Sequence, residues 1–359
     1  MGALTRLGLQ VPAGIMVGLS STLRFDRLMD VARAAESSGF DSIWVPDHVE
    51  LGQSGRGAGE PEFEALTLLG ALTQVTSHVI LGTLVARIEH RTPALLAKQI
   101  TAVDVMSGGR AVLGMGIGGG HGVGDHETNC PDRVPTAEQL ERLEEAVQVC
   151  RAMFVEESPS FTGRHYLLRQ AANLPRPLRP GGPPILIGLD HAGGFDGSGG
   201  ETDSTAKMLH MAAMYADACN VFGGAETVRQ QMDALARHCE EIGRDPAGIT
   251  RTRLGALVIE QSMQAARDRA MEHAAARGLG ERGLGEWITY GTPESVGDQV
   301  GSLLEMGLDG VIFSMPGICD PEAVALAGSS LAGVLPATGL LPSGSDAAST
   351  GDHGCLWVS

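Results

Sequence analysis

Apolar and polar positions along this chain follow two alternating periods. Short, almost wholly apolar runs are each followed by a longer stretch whose apolar positions recur every three or four residues. The runs read as strands buried on both faces, and the stretches as amphipathic helices packed over them. The strands fall at 7–11, 42–45, 79–85, 110–115, 185–189, 218–222, 253–259 and 310–315. Helices are expected from about 24 to Gly39, then over 63–74, 93–107, 137–153, 205–215, 226–242, 263–277 and 293–306, with a short one ending near 335. Gly39 suits a left-handed helix end, and Pro93 suits a helix start, where a missing amide hydrogen costs nothing. Strict alternation of strand and helix predicts an α/β fold around a parallel sheet.

Residues 154–182 read as an insertion with short strand character and a proline-rich exit, and 190–203 as a second, glycine-rich one. The last stretch, 336–359, is rich in Gly, Ser, Asp, Ala and Thr without apolar periodicity, and is expected to be disordered. The expected organisation is one domain over 1–335 followed by that tail.

Composition narrows the function classes. The formal net charge is −17, opposite to what a nucleic acid or an acidic membrane surface attracts. No apolar run reaches the roughly 18–20 residues of a membrane span, and the chain opens on strand-like residues instead of a cationic leader. A soluble cytoplasmic protein is the expectation. The six cysteines show no CxxC spacing, so a zinc site is not indicated. Cys150 and Cys219 sit in apolar stretches and read as core. His121, His126 and Glu127 lie in or beside the glycine run 116–124 at no standard ligand spacing, and are expected to be solvated loop residues.

Candidate chemistry gathers where strands end, which is where barrel enzymes carry their sites. Strand two runs into Asp47-His48, and an imidazole there can donate, accept or relay a proton; a capping or structural Asp-His pair is the alternative. Arg87 and Arg91 follow strand three and fit either an anionic ligand group or salt bridges. The run from Gly116 through Gly118 and Gly119 to Gly124 is either a mobile lid or a set of amides close to an anion. Gly199, Gly200, Ser204, Thr205 and Lys207 open a helix, as an N-cap or as a phosphate site. Gln10 and Ser314, at the ends of strands one and eight, line the pocket or its rim. Aromatic residues are few, with Trp44, Tyr166, Trp287 and Tyr290 the ones available for stacking a substrate, Trp44 reading as core.

Three stretches together resemble the bacterial-luciferase-like oxidoreductases, and within them the branch that uses the deazaflavin coenzyme F420. They are Phe40-Asp41-Ser42-Ile43-Trp44-Val45-Pro46-Asp47-His48; Leu81-Gly82-Thr83-Leu84-Val85 with Arg91-Thr92-Pro93-Ala94-Leu95-Leu96-Ala97-Lys98; and Asp104-Val105-Met106-Ser107-Gly108-Gly109-Arg110 with Leu113-Gly114-Met115-Gly116. Tyr215-Ala216-Asp217-Ala218-Cys219-Asn220 also fits. The likeness spans roughly 5–335. It implies a (β/α)8 TIM barrel with insertions after strands four and five. It further implies a flavin-type ring at the strand ends, with Asp47 and His48 beside it and Thr83, Leu84 and Val85 behind it, where a cis peptide is expected at Leu84–Val85. Gly116, Gly118, Gly119, Gly188, Gly199 and Gly200 with Ser204, Thr205 and Lys207 would hold the phosphate-bearing chain. Arg87, Arg91, His121 and Ser314 would face substrate or its anionic groups, with no metal.

The activity implied is hydride transfer between F420 and an imine, activated alkene, alcohol or carbonyl. An FMN-dependent two-component monooxygenase served by a separate reductase is the alternative, and a non-catalytic flavin- or metabolite-binding protein a third reading. A homodimer is implied by the resemblance alone. The chain departs from its relatives at Gly119 and Gly120, where an aromatic or acidic residue is usual, and at Ala86, where a small hydroxyl residue is commoner.

Overall fold

In a computed structural model the described residues are 4–11, 21–48, 50–51, 60–61, 63–117, 134–189, 203–276, 279–281, 283–316 and 320–335. Eight parallel strands form a closed barrel: β1 (Leu7–Gln10), β2 (Ser42–Val45), β3 (Ile80–Thr83), β4 (Ala111–Gly116), β5 (Ile185–Gly188), β6 (Ala218–Val221), β7 (Thr250–Ile259) and β8 (Gly310–Ser314). Each pairs with the next in chain order, and Leu7↔Val311 closes the ring between β1 and β8. The expected (β/α)8 barrel is the architecture found. Around it lie α1 (Ser21–Ser38), α2 (Ala65–Leu72), α3 (Pro93–Ser107), α4 (Thr136–Val155), α5 (Asp203–Tyr215), α6 (Ala225–Ile242), α7 (Met263–Ala276), α8 (Pro293–Glu305) and α9 (Pro321–Ala332).

Local chemistry sets these elements. All six residues of β4 are buried, as a strand covered by helices on one side and barrel interior on the other must be. Three helices start on a capping residue followed by proline. Thr92 and Thr292 accept from amides of their first turns, as Asp320 does from Glu322 N at 3.0 Å. Gly108 and Gly243 end α3 and α6 at φ +72°, a conformation that costs other residues a steric penalty.

The two faces of each strand feed two cores. Outward residues such as Leu9, Ile43, Leu81, Leu113 and Ile187 pack under the helices, while Trp44, Val112, Leu186, Leu254 and Ile312 fill the barrel. Trp44 is the largest plug and is fully buried, as expected. Its ring fits because its neighbours on β1 and β3 are Gly8 and Gly82, where a Cβ would lie 2.7 and 2.5 Å from indole atoms. Its Nε1 donates to Ser42 Oγ at 2.8 Å, and Thr5 Oγ1 links that hydroxyl to Asp41 Oδ1. Asp41 also accepts from the amides of Arg6 and Leu7, so the polar groups at this end of the barrel hold one another.

The helix-side layer includes buried cations, Arg253 among them. Arg253 Nε donates to Gly223 O at 2.7 Å and Nη2 to Glu286 O at 2.8 Å, and burial pulls its pKa down to about 10. It ties the end of β6 to the turn that precedes an unexpected strand, Ile288–Gly291, which pairs with the outer half of β7.

Between α4 and β5 the expected insertion at 154–182 forms a small hairpin, Phe161–Thr162 against Leu167–Leu168. The insertion expected at 190–203 and the tail at 336–359 lie almost wholly or wholly outside the described residues. The strand expected over 79–85 ends at Thr83, and Ala86–Arg87 forms a separate two-residue strand along β4. Cys150 and Cys219 are buried as expected, and Cys239 with them. Among the described residues no helix is long and apolar enough to cross a membrane.

Candidate active site at the strand ends

The break between β3 and Ala86–Arg87 shapes the mouth of the barrel. The Leu84–Val85 peptide bond is cis. Gln10 Nε2, from the end of β1, donates to Leu84 O at 3.1 Å. Thr83 Oγ1 donates across to Gly114 O at 2.8 Å. The half-buried Val85 side chain lies between the ends of β4 and β5, where Gly116 and Gly188 make room for it. A Cβ on Gly116 would sit 2.7 Å from Val85 Cγ2, and one on Gly188 would sit 2.6 Å from Val85 Cγ1. Gln10, Thr83, Leu84, Val85, Gly116 and Gly188, all expected at the site, are therefore brought together here. The product is a shallow apolar bulge framed by glycines.

This arrangement makes a local prediction. In Gly188→Ala the new methyl group meets Val85 well inside ordinary carbon–carbon contact. The expected cost is about 1–3 kcal/mol in urea unfolding. Adding Val85→Ala to the same chain should recover much of it, because the two sites share one volume.

At the same end of the barrel, Pro46, Asp47 and His48 follow β2. His48 is half-buried. Asp47 is 3% exposed and sits at the centre of an ionic cluster. Its Oδ2 accepts from Arg87 N at 3.0 Å and from Arg91 Nη1 at 2.6 Å, and its Oδ1 accepts from Arg91 Nη2 at 2.9 Å. His90 Nδ1 lies 3.4 Å from Oδ2 without good hydrogen-bond geometry. Burial alone would raise the Asp47 pKa, but His90 and the bonds and charge of Arg91 override it and hold the carboxyl well below the usual range.

Arg91 also meets Glu64 Oε1 at 3.0 Å. Glu64 caps α2, accepting from Thr67 N at 2.7 Å. Arg87 is buried, with Nη2 3.4 Å from Glu89 Oε2; Glu89 in turn accepts from Gln139 Nε2 on α4 at 2.5 Å. The arginines expected to face a ligand are thus set among protein carboxylates.

The other expected residues are more scattered. Ser314, half-buried at the end of β8, has its Oγ 3.5 Å from Gly255 O. Ser204, Thr205 and Lys207 occupy the first turn and a half of α5, with Thr205 buried and Lys207 exposed. Asp203 shares that turn, so an anion there would face a carboxylate. Gly118, Gly119, His121, Gly199 and Gly200 lie outside the described residues.

Sequence reasoning missed His90, Glu64 and Glu89, and the wall made by the extra strand. Trp287, expected as a stacking residue, is buried against Phe222 at a ring separation of 6.0 Å, and Tyr290 packs on the same apolar group as Val85. The signal was present: Ile288-Thr289-Tyr290 precedes Thr292-Pro293, a helix start with a short apolar run before it.

Over residues 5–295 the chain matches the family described as luciferase-like monooxygenase. It is 27% identical to an F420-dependent glucose-6-phosphate dehydrogenase of Segniliparus rotundus over 315 residues, covering 81% of this chain and 88% of that protein. With the namesake enzyme of Kineococcus radiotolerans it shares 29% over 308 residues, covering 81% and 87%. Among solved structures, an F420-dependent secondary alcohol dehydrogenase in complex with an F420-acetone adduct superposes with a TM-score of 0.75 at 18% identity, over 94% of this chain and all of the other. The monooxygenase RslO1 from Streptomyces bottropensis gives 0.74 at 19%, over 92% and 98%. These two likenesses speak for the barrel, and the family match speaks for descent. The chain belongs to the luciferase-like monooxygenase family.

Proposed function

We propose that this protein is an F420-dependent oxidoreductase that transfers hydride between the deazaflavin and a small molecule: an imine, activated alkene, alcohol or carbonyl. The observation that carries the reading is the bulge at Val85, an apolar surface framed by Gly116 and Gly188 at the strand ends, the end of the barrel at which His48 follows β2. A flat ring system needs an unobstructed apolar support on one face and a polar group at its edge. The residues present meet both needs. The F420-dependent relatives, matched over most of their length, support the choice of ring. When bound, the deazaflavin supplies two-electron hydride chemistry, while the protein supplies binding, orientation and protons.

Each residue then has a task. Leu84 and Val85 back the ring, with Gln10 fixing the Leu84 carbonyl and Thr83 the strand beneath. His48 gives a proton to the atom bonded to the carbon that receives hydride (the oxygen of a carbonyl, the nitrogen of an imine, the neighbouring carbon of an activated alkene), or takes it from that atom in the reverse direction. Asp47 is a positioning residue, because its oxygens are filled by Arg91 and by the Arg87 amide. Arg91 neutralises that buried carboxylate and links it to α2, and Arg87 does the corresponding work with Glu89. Gly116, Gly118 and Gly119 line the cofactor's path. Gly199, Gly200, Ser204, Thr205 and Lys207, at the entry to α5, receive the phosphate-bearing chain, and His121 and Ser314 border the substrate. A cytoplasmic homodimer completes the reading by family resemblance.

The test is turnover. Purified protein mixed anaerobically with oxidised F420 and a panel of alcohols should bleach the deazaflavin's visible absorbance with at least one of them, or reoxidise reduced F420 with an imine, enone or ketone. Tight binding of FMN with oxygen consumption once a separate reductase is added, and no binding of F420, would put the monooxygenase reading in its place.

A further inference from the structure

We propose a divalent transition-metal site on the outside of the barrel, between α5 and α6, formed by His210, His238 and Glu241. Each offers one donor atom, and the three donors lie within 4.8 Å of one another. The set is two imidazoles and one carboxylate, which suits zinc and its first-row neighbours. His238 Nδ1 stands 3.2 Å from Glu241 Oε2. Ligand atoms about 2.0–2.1 Å from a tetrahedral zinc stand roughly 3.3 Å apart, so this edge is already set for a shared cation. His238 and Glu241 are neighbours across one turn of α6, and His210 comes from α5 with its ring edge-on to His238, the centroids 5.4 Å apart.

The second observation is His238 Nε2. It is buried and has no hydrogen-bond partner. With Nδ1 engaged by Glu241, hydrogen bonding leaves this imidazole half satisfied, and an unmatched buried polar atom carries a cost. A Lewis acid bound at Nε2 removes that deficit, with Glu241 then accepting from Nδ1–H in place of acting as a ligand; one held between Nδ1 and Glu241 leaves Nε2 unmatched, and that arrangement rests on the donor geometry alone.

His210 and Glu241 are exposed, so the fourth position is open to water. The ligands belong to helices, which hold their spacing better than loops do. The site would clamp α5 to α6 at the barrel's outer surface. The i,i+3 pair His238 and Glu241 is visible in the sequence, but its third partner, His210, is supplied only by packing of α5 against α6.

Full-length protein stripped with a chelator is titrated with Zn2+ against a chromophoric competitor, and separately with Co2+, whose visible bands report a low-coordinate site. One equivalent of metal per chain is expected, with Zn2+ raising the thermal midpoint. His210→Ala, at an exposed position that leaves the core intact, should weaken binding by at least about tenfold and abolish the thermal shift, without changing F420 turnover. His238→Ala and Glu241→Gln should weaken it likewise. Metal uptake in the native chain no greater than in the His210→Ala/His238→Ala chain would overturn the site, as would loss of Co2+ bands in neither variant.

Discussion

Asp47→Ala should be the most destabilising single substitution at the mouth of the barrel, costing about 3–5 kcal/mol, the range for breaking a buried ion pair, because it leaves Arg91 only the half-exposed Glu64. The side chains of Asp47 and Arg91 are 1% and 7% exposed, so water cannot replace the lost carboxylate. The loss is also geometric. Asp47 Oδ2 holds the Arg87 amide, and Arg87 lies two residues beyond the Val85 bulge, so the bulge loses an anchor. Urea unfolding should therefore show a lower midpoint, and whatever native protein remains should bind cofactor more weakly. Asp47→Ala/Arg91→Met should cost less than the sum of the single changes, because the second removes the charge that the first strands.

The pH dependence follows from the same cluster. The folded-state pKa of Asp47 is held below its unfolded value, about 3.9. The unfolded chain therefore takes up the proton first as pH falls. The contribution of Asp47 is fully present above about pH 4 and is lost on further acidification toward the folded pKa. Acid unfolding followed by fluorescence should show a steeper loss of stability below that pH in the native chain than in the Asp47→Ala chain.

His48→Ala is expected to lower turnover by about 10²–10⁴-fold, the usual contribution of a positioned acid or base. The fold should survive, since His48 is half-buried at a loop and stands outside the two apolar cores. The change should fall mainly on kcat, with F420 affinity weakened by no more than about tenfold, the worth of one hydrogen bond, and free imidazole in the buffer should restore part of the rate. Unchanged kcat in this variant would remove the proton-transfer role and leave His48 as a rim residue.

The contrast between Asp47 and His48 shows what the sequence could and could not carry. Two neighbouring polar residues after a strand mark a barrel's working end, and the structure puts both there. Which one faces outward depends on Arg91, His90 and Glu64, which come from later segments and meet Asp47 only in the folded barrel. The eight barrel strands were legible because short apolar runs, most of them followed by longer helix-period stretches, are too brief for a buried helix and fit a strand covered on both faces. Ile288–Gly291 carried a weaker signal: it is short, lies just before a strong helix start, and is strand only because the outer half of β7 is there to pair with it. Likewise Arg87 and Arg91 carry the same charge whether they face a ligand or a carboxylate, and only the positions of Glu89 and Asp47 separate those cases.

A crystal structure of the protein soaked with oxidised F420 tests the central claim most directly. The deazaflavin ring should lie against Leu84 and Val85, with one edge within about 3 Å of the His48 imidazole, the reach of a hydrogen bond. A ring found elsewhere, or one turned so that His48 contacts neither it nor the adjoining substrate space, would contradict the account.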